Sequence, residues 1–125
     1  MIVLDASALL AFMFREQGHE QVAQHIDDCC LSTVNLSEVI ARFVRDGHHA
    51  HEVWQRIAET NIEIVPFSAS QAIRAASLQP QTKTLGLSLA DRACLSLAAE
   101  RQIPVLTADQ VWQAFPGNIE ITVIR

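Results

Sequence analysis

Hydrophobic positions along the chain switch between short unbroken runs and helically spaced sets. Ile2, Val3 and Leu4 form a run, two of them β-branched, that stops at Asp5. Such a run, closed by a polar residue, fits a fully buried strand of a parallel sheet. Ala-rich sequence follows at once and favours a helix. In that helix Leu9, Leu10, Phe12, Met13 and Phe14 point in nearly every direction. One core-facing stripe uses less apolar surface, so the helix is expected to be buried all round or to meet another chain. Gly18 breaks the pattern, Val22, Ala23 and Ile26 predict a short amphipathic helix, and Asp27 and Asp28 a solvated turn.

Leu31 to Val34 predict a second strand, and Asn35 opens a helix with Leu36, Val39, Ile40, Phe43 and Val44 at helical spacing, ended by Gly47. Val53, Trp54 and Ile57 mark the next helix. Ile62 to Val65 make a third strand that stops at Pro66. Ser68 and Gln71 read as a capping box for a helix to about Leu78. Gln79 to Leu87, with Pro80 and Gly86, is expected to be the longest loop. A helix from about Leu89 to Arg101, the strand Pro104-Val-Leu, a short helix with Val111, Trp112 and Phe115, and a strand from Ile119 to Ile124 complete the chain. Strands alternating with helices imply an α/β fold, a parallel sheet with helices on both faces.

At 125 residues the chain is expected to form a single domain, residues 1–125, with a real core. No apolar run approaches the roughly 18–20 residues that span a bilayer, and no basic segment precedes an apolar stretch at the N-terminus. Cys29, Cys30 and Cys94 offer neither a disulfide framework nor a zinc spacing and suit a reducing cytosol, so the expected location is cytoplasmic. The net charge of −5 argues against a generic nucleic-acid binder. That objection depends on where the acids lie. If four of the fourteen carboxylates share a metal site, the remaining ten nearly balance the nine basic residues.

Four acids are placed for this. Asp5 ends the first strand, Glu38 lies in the first turn of the helix after the second, and Asp109 lies three residues past Leu106. Asp91 starts the helix that leads into the fourth strand, so that helix runs antiparallel to the strand. Ten or so residues at 1.5 Å each cover ~15 Å, about a strand's length. Asp91 is therefore level with the carboxyl ends of the strands, where open parallel sheets build their sites. Each acid also has a structural explanation. Asn35-x-x-Glu38 and Ser88-x-x-Asp91 match helix-start capping patterns, Asp109 could cap the helix after it, and Glu38 could pair with Arg42. Asp5, directly after a buried strand, needs a partner in any case. Four convergent acids would repel one another, and oxygen-only ligands suit Mg²⁺ or Mn²⁺.

Asp5 with Ser7 two residues on, Asn-Leu-Ser-Glu38, Leu-Ala-Asp91-Arg-Ala-Cys-Leu and Leu-Thr107-Ala-Asp109, in this order, resemble a PIN domain, and most closely the VapC-type ribonuclease toxins of bacterial toxin–antitoxin pairs. The resemblance covers the whole chain. It implies a three-layer α/β fold around a central parallel five-stranded sheet with the first strand in the middle. It also implies a Mg²⁺- or Mn²⁺-dependent endoribonuclease, a cognate antitoxin and a homodimer. By residue matching, Asp5, Glu38, Asp91 and Asp109 form the acidic quartet that would bind metal and catalyse, with Ser7 and Thr107 as supporting hydroxyls. Cations held there would lower the pKa of a bound water and offset charge developing on the phosphate. Arg92 and Lys83 are the basic residues nearest the expected site, as RNA contacts or merely as solvated charges. His48, His49 and His51 cluster without a carboxylate partner in sequence and are expected to be exposed.

Two other α/β folds place Asp after the first strand. A haloacid-dehalogenase-like phosphatase needs a second Asp where this chain has Ser7. A response-regulator receiver needs a Lys after a late strand, and Lys83, the only lysine, lies in a predicted loop. The alternative from another class is a catalytically silent PIN-like module that binds RNA or an antitoxin without cutting. Pure binding gives no reason to crowd four acids.

Overall fold

The structure is a computed structural model that describes every residue from Met1 to Arg125. Five strands, β1 (Ile2–Leu4), β2 (Cys29–Ser32), β3 (Glu63–Val65), β4 (Val105–Thr107) and β5 (Ile121–Val123), form one sheet in the order β3-β2-β1-β4-β5. Every neighbouring pair is parallel, with Ile2 opposite Cys29 and Leu4 opposite Leu106. The first strand is central, as the resemblance implied.

Alternation along the strands divides the core in two. Ile2, Leu4, Cys29, Leu31 and Leu106 pack in one cluster with Ala8 and Leu9 of α1 (Ala6–Phe14), Val22 of α2 (His19–Ala23), Val39 of α3 (Thr33–Arg45), and Val53 and Ile57 of α4 (Ala50–Ala58). Val3, Cys30 and Val105 point the other way, into a second cluster with Leu95 and Leu97 of α7 (Leu89–Arg101), Trp112 and Phe115. The period-two alternation of a strand thus feeds helices on both faces. α5 (Ala69–Ser77) packs against α7.

Several elements depart from the sequence reading. β2 starts at Cys29 and ends at Ser32, two residues earlier than Leu31–Val34 suggested. The buried cysteine pair behaves as small strand hydrophobes, while the Ser32 hydroxyl accepts from the Val34 amide at 3.2 Å and opens α3 there. Asn35 is therefore inside the helix and does not cap it. The Gln79–Leu87 segment is no open loop: Gln79–Thr82 form α6, with Pro80 in its first turn, and Lys83–Leu85 a 3₁₀ turn. Pro lacks the amide that a first helical turn leaves unused, so it starts a helix here. The segment after Asp109 is a 3₁₀ helix, Gln110–Ala114. At Ser68 only half of the capping box forms, because the Gln71 side chain bonds Glu100 instead. In α1, Phe12 and Met13 pack against the core, whereas Phe14 stays exposed and stacks on Phe43 with ring centroids 4.9 Å apart.

Candidate functional site

Asp5 is the N-cap of α1 and is only 3% exposed. Its carboxylate accepts from the Ser7 hydroxyl at 2.8 Å, the Ala8 amide at 2.8 Å and the Thr107 hydroxyl at 2.7 Å. Ser7 in turn accepts from the Ala108 amide, and Thr107 from the Asp109 amide. One hydroxyl from α1 and one from the end of β4 therefore tie the Asp5 turn to the segment that carries Asp109. Even with these donors, burial pushes the Asp5 carboxyl up to about 6.

Of the other three acids, Asp91 is the one whose charge acts on Asp5. Asp91 is half-buried in the first turn of α7 and shares a full capping box with Ser88: each side chain accepts from the other's amide. Burial raises its carboxyl above the usual range, and Asp109 adds to the shift against the Ser88 bonds and Arg92. Asp91 in turn raises Asp5, and partial burial followed by Asp91 raises Glu38. Four carboxylates from four segments thus share one electrostatic neighbourhood with Asp91 at its centre. Like charges that close disfavour one another's ionisation.

The structural explanations separate here. Those for Asp91 and Asp109 are real, since Asp109 accepts from the Val111 amide and caps the 3₁₀ helix. Those for Glu38 fail: α3 is capped by Ser32, and Arg42 pairs with Asp46. Glu38 lies past the first turn of α3, exposed.

As the side chains stand, no three His, Cys, Asp or Glu groups could close around one ion. The chemistry of the donor set fits a hard divalent cation nonetheless. It is all carboxylate oxygen, it is electrostatically frustrated, and Asp91 keeps the oxygen that its cap does not use. His48, His49 and His51 are exposed, with His48 edge-on to Phe43. Arg92 lies beside Asp91, where its guanidinium bonds the Ser88 carbonyl and the Gln79 side chain. Lys83 is exposed on the 3₁₀ turn.

Asn35 escaped the sequence reading as anything but a helix start. It is 1% exposed; its Oδ1 accepts from the Ala6 amide at 2.9 Å and its Nδ2 donates to the Ala90 carbonyl at 3.0 Å. That second bond places the start of α7 beside the start of α1, at the carboxyl edge of the sheet. The spacing held the signal: Asn35 lies four residues before buried Val39, on the core-facing side of α3. A cleft of about 550 Å³ between Leu78, Gln102, Ile103 and Phe115 lies at the opposite end of α7 from these acids.

Residues 2–118 match the family model described as PIN domain. No curated protein sequence matches the chain. Among solved structures it is similar to a chain of a toxin–antitoxin complex from Klebsiella pneumoniae, at 16% identity and a TM-score of 0.77, over 100% of this chain and 98% of that one. It is also similar to a chain of DNA-bound VapBC from Salmonella typhimurium, at 19% identity and a TM-score of 0.72, over 100% of both. A third is VapC20 of Mycobacterium tuberculosis, described as a sarcin-ricin loop cleaving toxin, at 15% identity and a TM-score of 0.74, over 91% of this chain and 94% of that one. At such identities the likeness is one of fold.

Proposed function

The chain belongs to the PIN-domain family, and from that premise we propose that it is a Mg²⁺- or Mn²⁺-dependent endoribonuclease, the toxin of a toxin–antitoxin pair. The observation that carries this reading is the acidic edge itself: Asp5, Glu38, Asp91 and Asp109, from four segments, with Asp91 raising two of the others and raised by the fourth. Asp5, Asp91 and Asp109 each cap a helix, but their crowding with Glu38 penalises the fold, and a binding module would have no reason to keep it.

Asp5, Glu38, Asp91 and Asp109 would hold the cation. Bound there, it would supply an activated water and charge compensation on the scissile phosphate. Ser7 donates to Oδ1 and Thr107 to Oδ2 of Asp5, so that the carboxylate meets a ligand already oriented. Arg92, held at the rim, and Lys83 are the cations that would meet the RNA backbone. The neighbours' descriptions as toxin–antitoxin complexes support a cognate antitoxin as partner, and exposed Phe14 on α1 supports a contact with that antitoxin or with a second copy in a homodimer. No helix is long and apolar enough to cross a membrane.

The test is cleavage of RNA by the purified protein with Mg²⁺ or Mn²⁺, with excess EDTA as control. Cleavage that EDTA abolishes, and that Asp5→Asn lacks, supports the reading. RNA bound but left intact under every metal condition would establish the silent binding module instead.

A further inference from the structure

We infer that Asn35 is a positioning residue that sets the separation of the acids by joining three of their segments with one side-chain amide; the inference rests on the functional reading above. Ala6 directly follows Asp5, Ala90 directly precedes Asp91, and Asn35 itself lies three residues before Glu38 on α3. Its carboxamide accepts from the first of these backbones and donates to the second; Asn35 and Ala6 are buried and Ala90 is partly so. The two bonds use the two unlike ends of the amide, so no single-function side chain of that size makes both.

The bonds link helix starts, not strands. The sheet ladder already fixes where β1 and β2 sit, but α7 reaches the carboxyl edge only as the far end of a 13-residue helix. A small tilt of α7 moves Asp91 away from Asp5 while the core around Leu95 and Leu97 stays packed. Asn35 opposes that tilt at the point where it would be largest. The Ser7 and Thr107 hydroxyls do the corresponding work for the Asp109 segment. The segments of the other three acids are then each tied to the Asp5 turn by a polar side chain that is not itself an acid.

The test compares wild type with Asn35→Ser and Asn35→Thr, each of which keeps at most part of the pairing. The control is Ile57→Val or Ile57→Ala, whichever matches their loss in melting temperature. Ile57 is a core residue of α4, the helix that leads into the amino end of β3. Mn²⁺ affinity is measured by calorimetry well below every melting temperature, and cleavage rates at saturating Mn²⁺. The Asn35 variants should bind Mn²⁺ about tenfold more weakly or worse, the loss typical of a missing support behind a metal ligand, and the control should bind as wild type. Cleavage at saturating Mn²⁺ should fall in the Asn35 variants only. Equal affinities in all proteins, or equal losses in variant and control, overturn the inference and leave the functional reading intact. If neither Asn35 variant folds, the amide serves the whole fold and the positioning role falls. A wild type that binds no Mn²⁺ overturns the functional reading itself.

Discussion

Asp5→Asn should make the metal-free protein more stable at neutral pH, the reverse of the usual effect of altering a buried residue. The Asp5 carboxyl has an ordinary pKa of 3.8 and is held at about 6 in the fold, chiefly by burial. The folded state therefore binds this proton more tightly than the unfolded chain does. The stability it contributes is full below 3.8, declines as pH rises from there to 6, and is gone above. A shift of about two units corresponds to roughly 3 kcal/mol. Asn has the shape of the protonated acid: its oxygen can accept from Ser7 and Ala8, and its NH₂ can donate to the Thr107 hydroxyl, which turns to receive it. The variant should match wild type near pH 3.5 and exceed it by up to roughly 3 kcal/mol at pH 8. At about 4 °C per kcal/mol for a domain of this length, that is a gap of roughly 10 °C. Thermal melts of both proteins in EDTA, from pH 3.5 to 8, measure it. Adding Mn²⁺ should then favour wild type, by about 2.7 kcal/mol at a hundredfold excess over Kd, and the variant much less. If Asp5→Asn melts well below wild type at pH 8 without metal, the charge supports the fold, and Asp5 is a structural cap.

Thr107→Val keeps the volume but removes a donor to Asp5 and the acceptor for the Asp109 amide. It should cost about 1–3 kcal/mol and raise the Asp5 pKa further, so the acidic limb of the cleavage profile moves to higher pH; a profile unmoved by the change would contradict the role given to Thr107. Ser32→Ala should lower stability by about 1 kcal/mol through the lost cap of α3, read from a denaturant midpoint. Phe14→Ser should leave the fold intact, since Phe14 lies outside the core, and should weaken co-purification of the antitoxin. Unchanged recovery of the complex would mean that this face of α1 is not the contact.

The chain's periodicity carried the alternation of elements, and Asp5 after Ile2-Val3-Leu4 marked the edge of the sheet to which the candidate acids belong, because a carboxylate ending a buried strand needs partners. The helical rise of α7 was enough to bring Asp91 to that edge. Other features were illegible for identifiable reasons. Ser32 ended β2 early because its hydroxyl competes for the Val34 amide, while Val34 alone favours a strand. Asn35 looked like a cap because caps and buried bridges draw on the same residue types, and only its register with Val39 tells them apart. Thr107 and Ser7 were assigned by resemblance; the Ser7 bond to Asp5 is local, but that Thr107 also donates to Asp5 is a matter of tertiary geometry, across about a hundred positions.

A crystal structure with Mn²⁺ and its anomalous signal would show whether the four segments build one cation site. The expected result is a peak at the carboxyl edge of the sheet, bonded to Asp5 and Asp91 at about 2.1 Å as for a small hard cation, with Glu38 and Asp109 turned toward it directly or through water. The Asn35 bonds to Ala6 and Ala90 should be unbroken. No peak at that edge under saturating Mn²⁺, or one at His48, His49 and His51 instead, would contradict it.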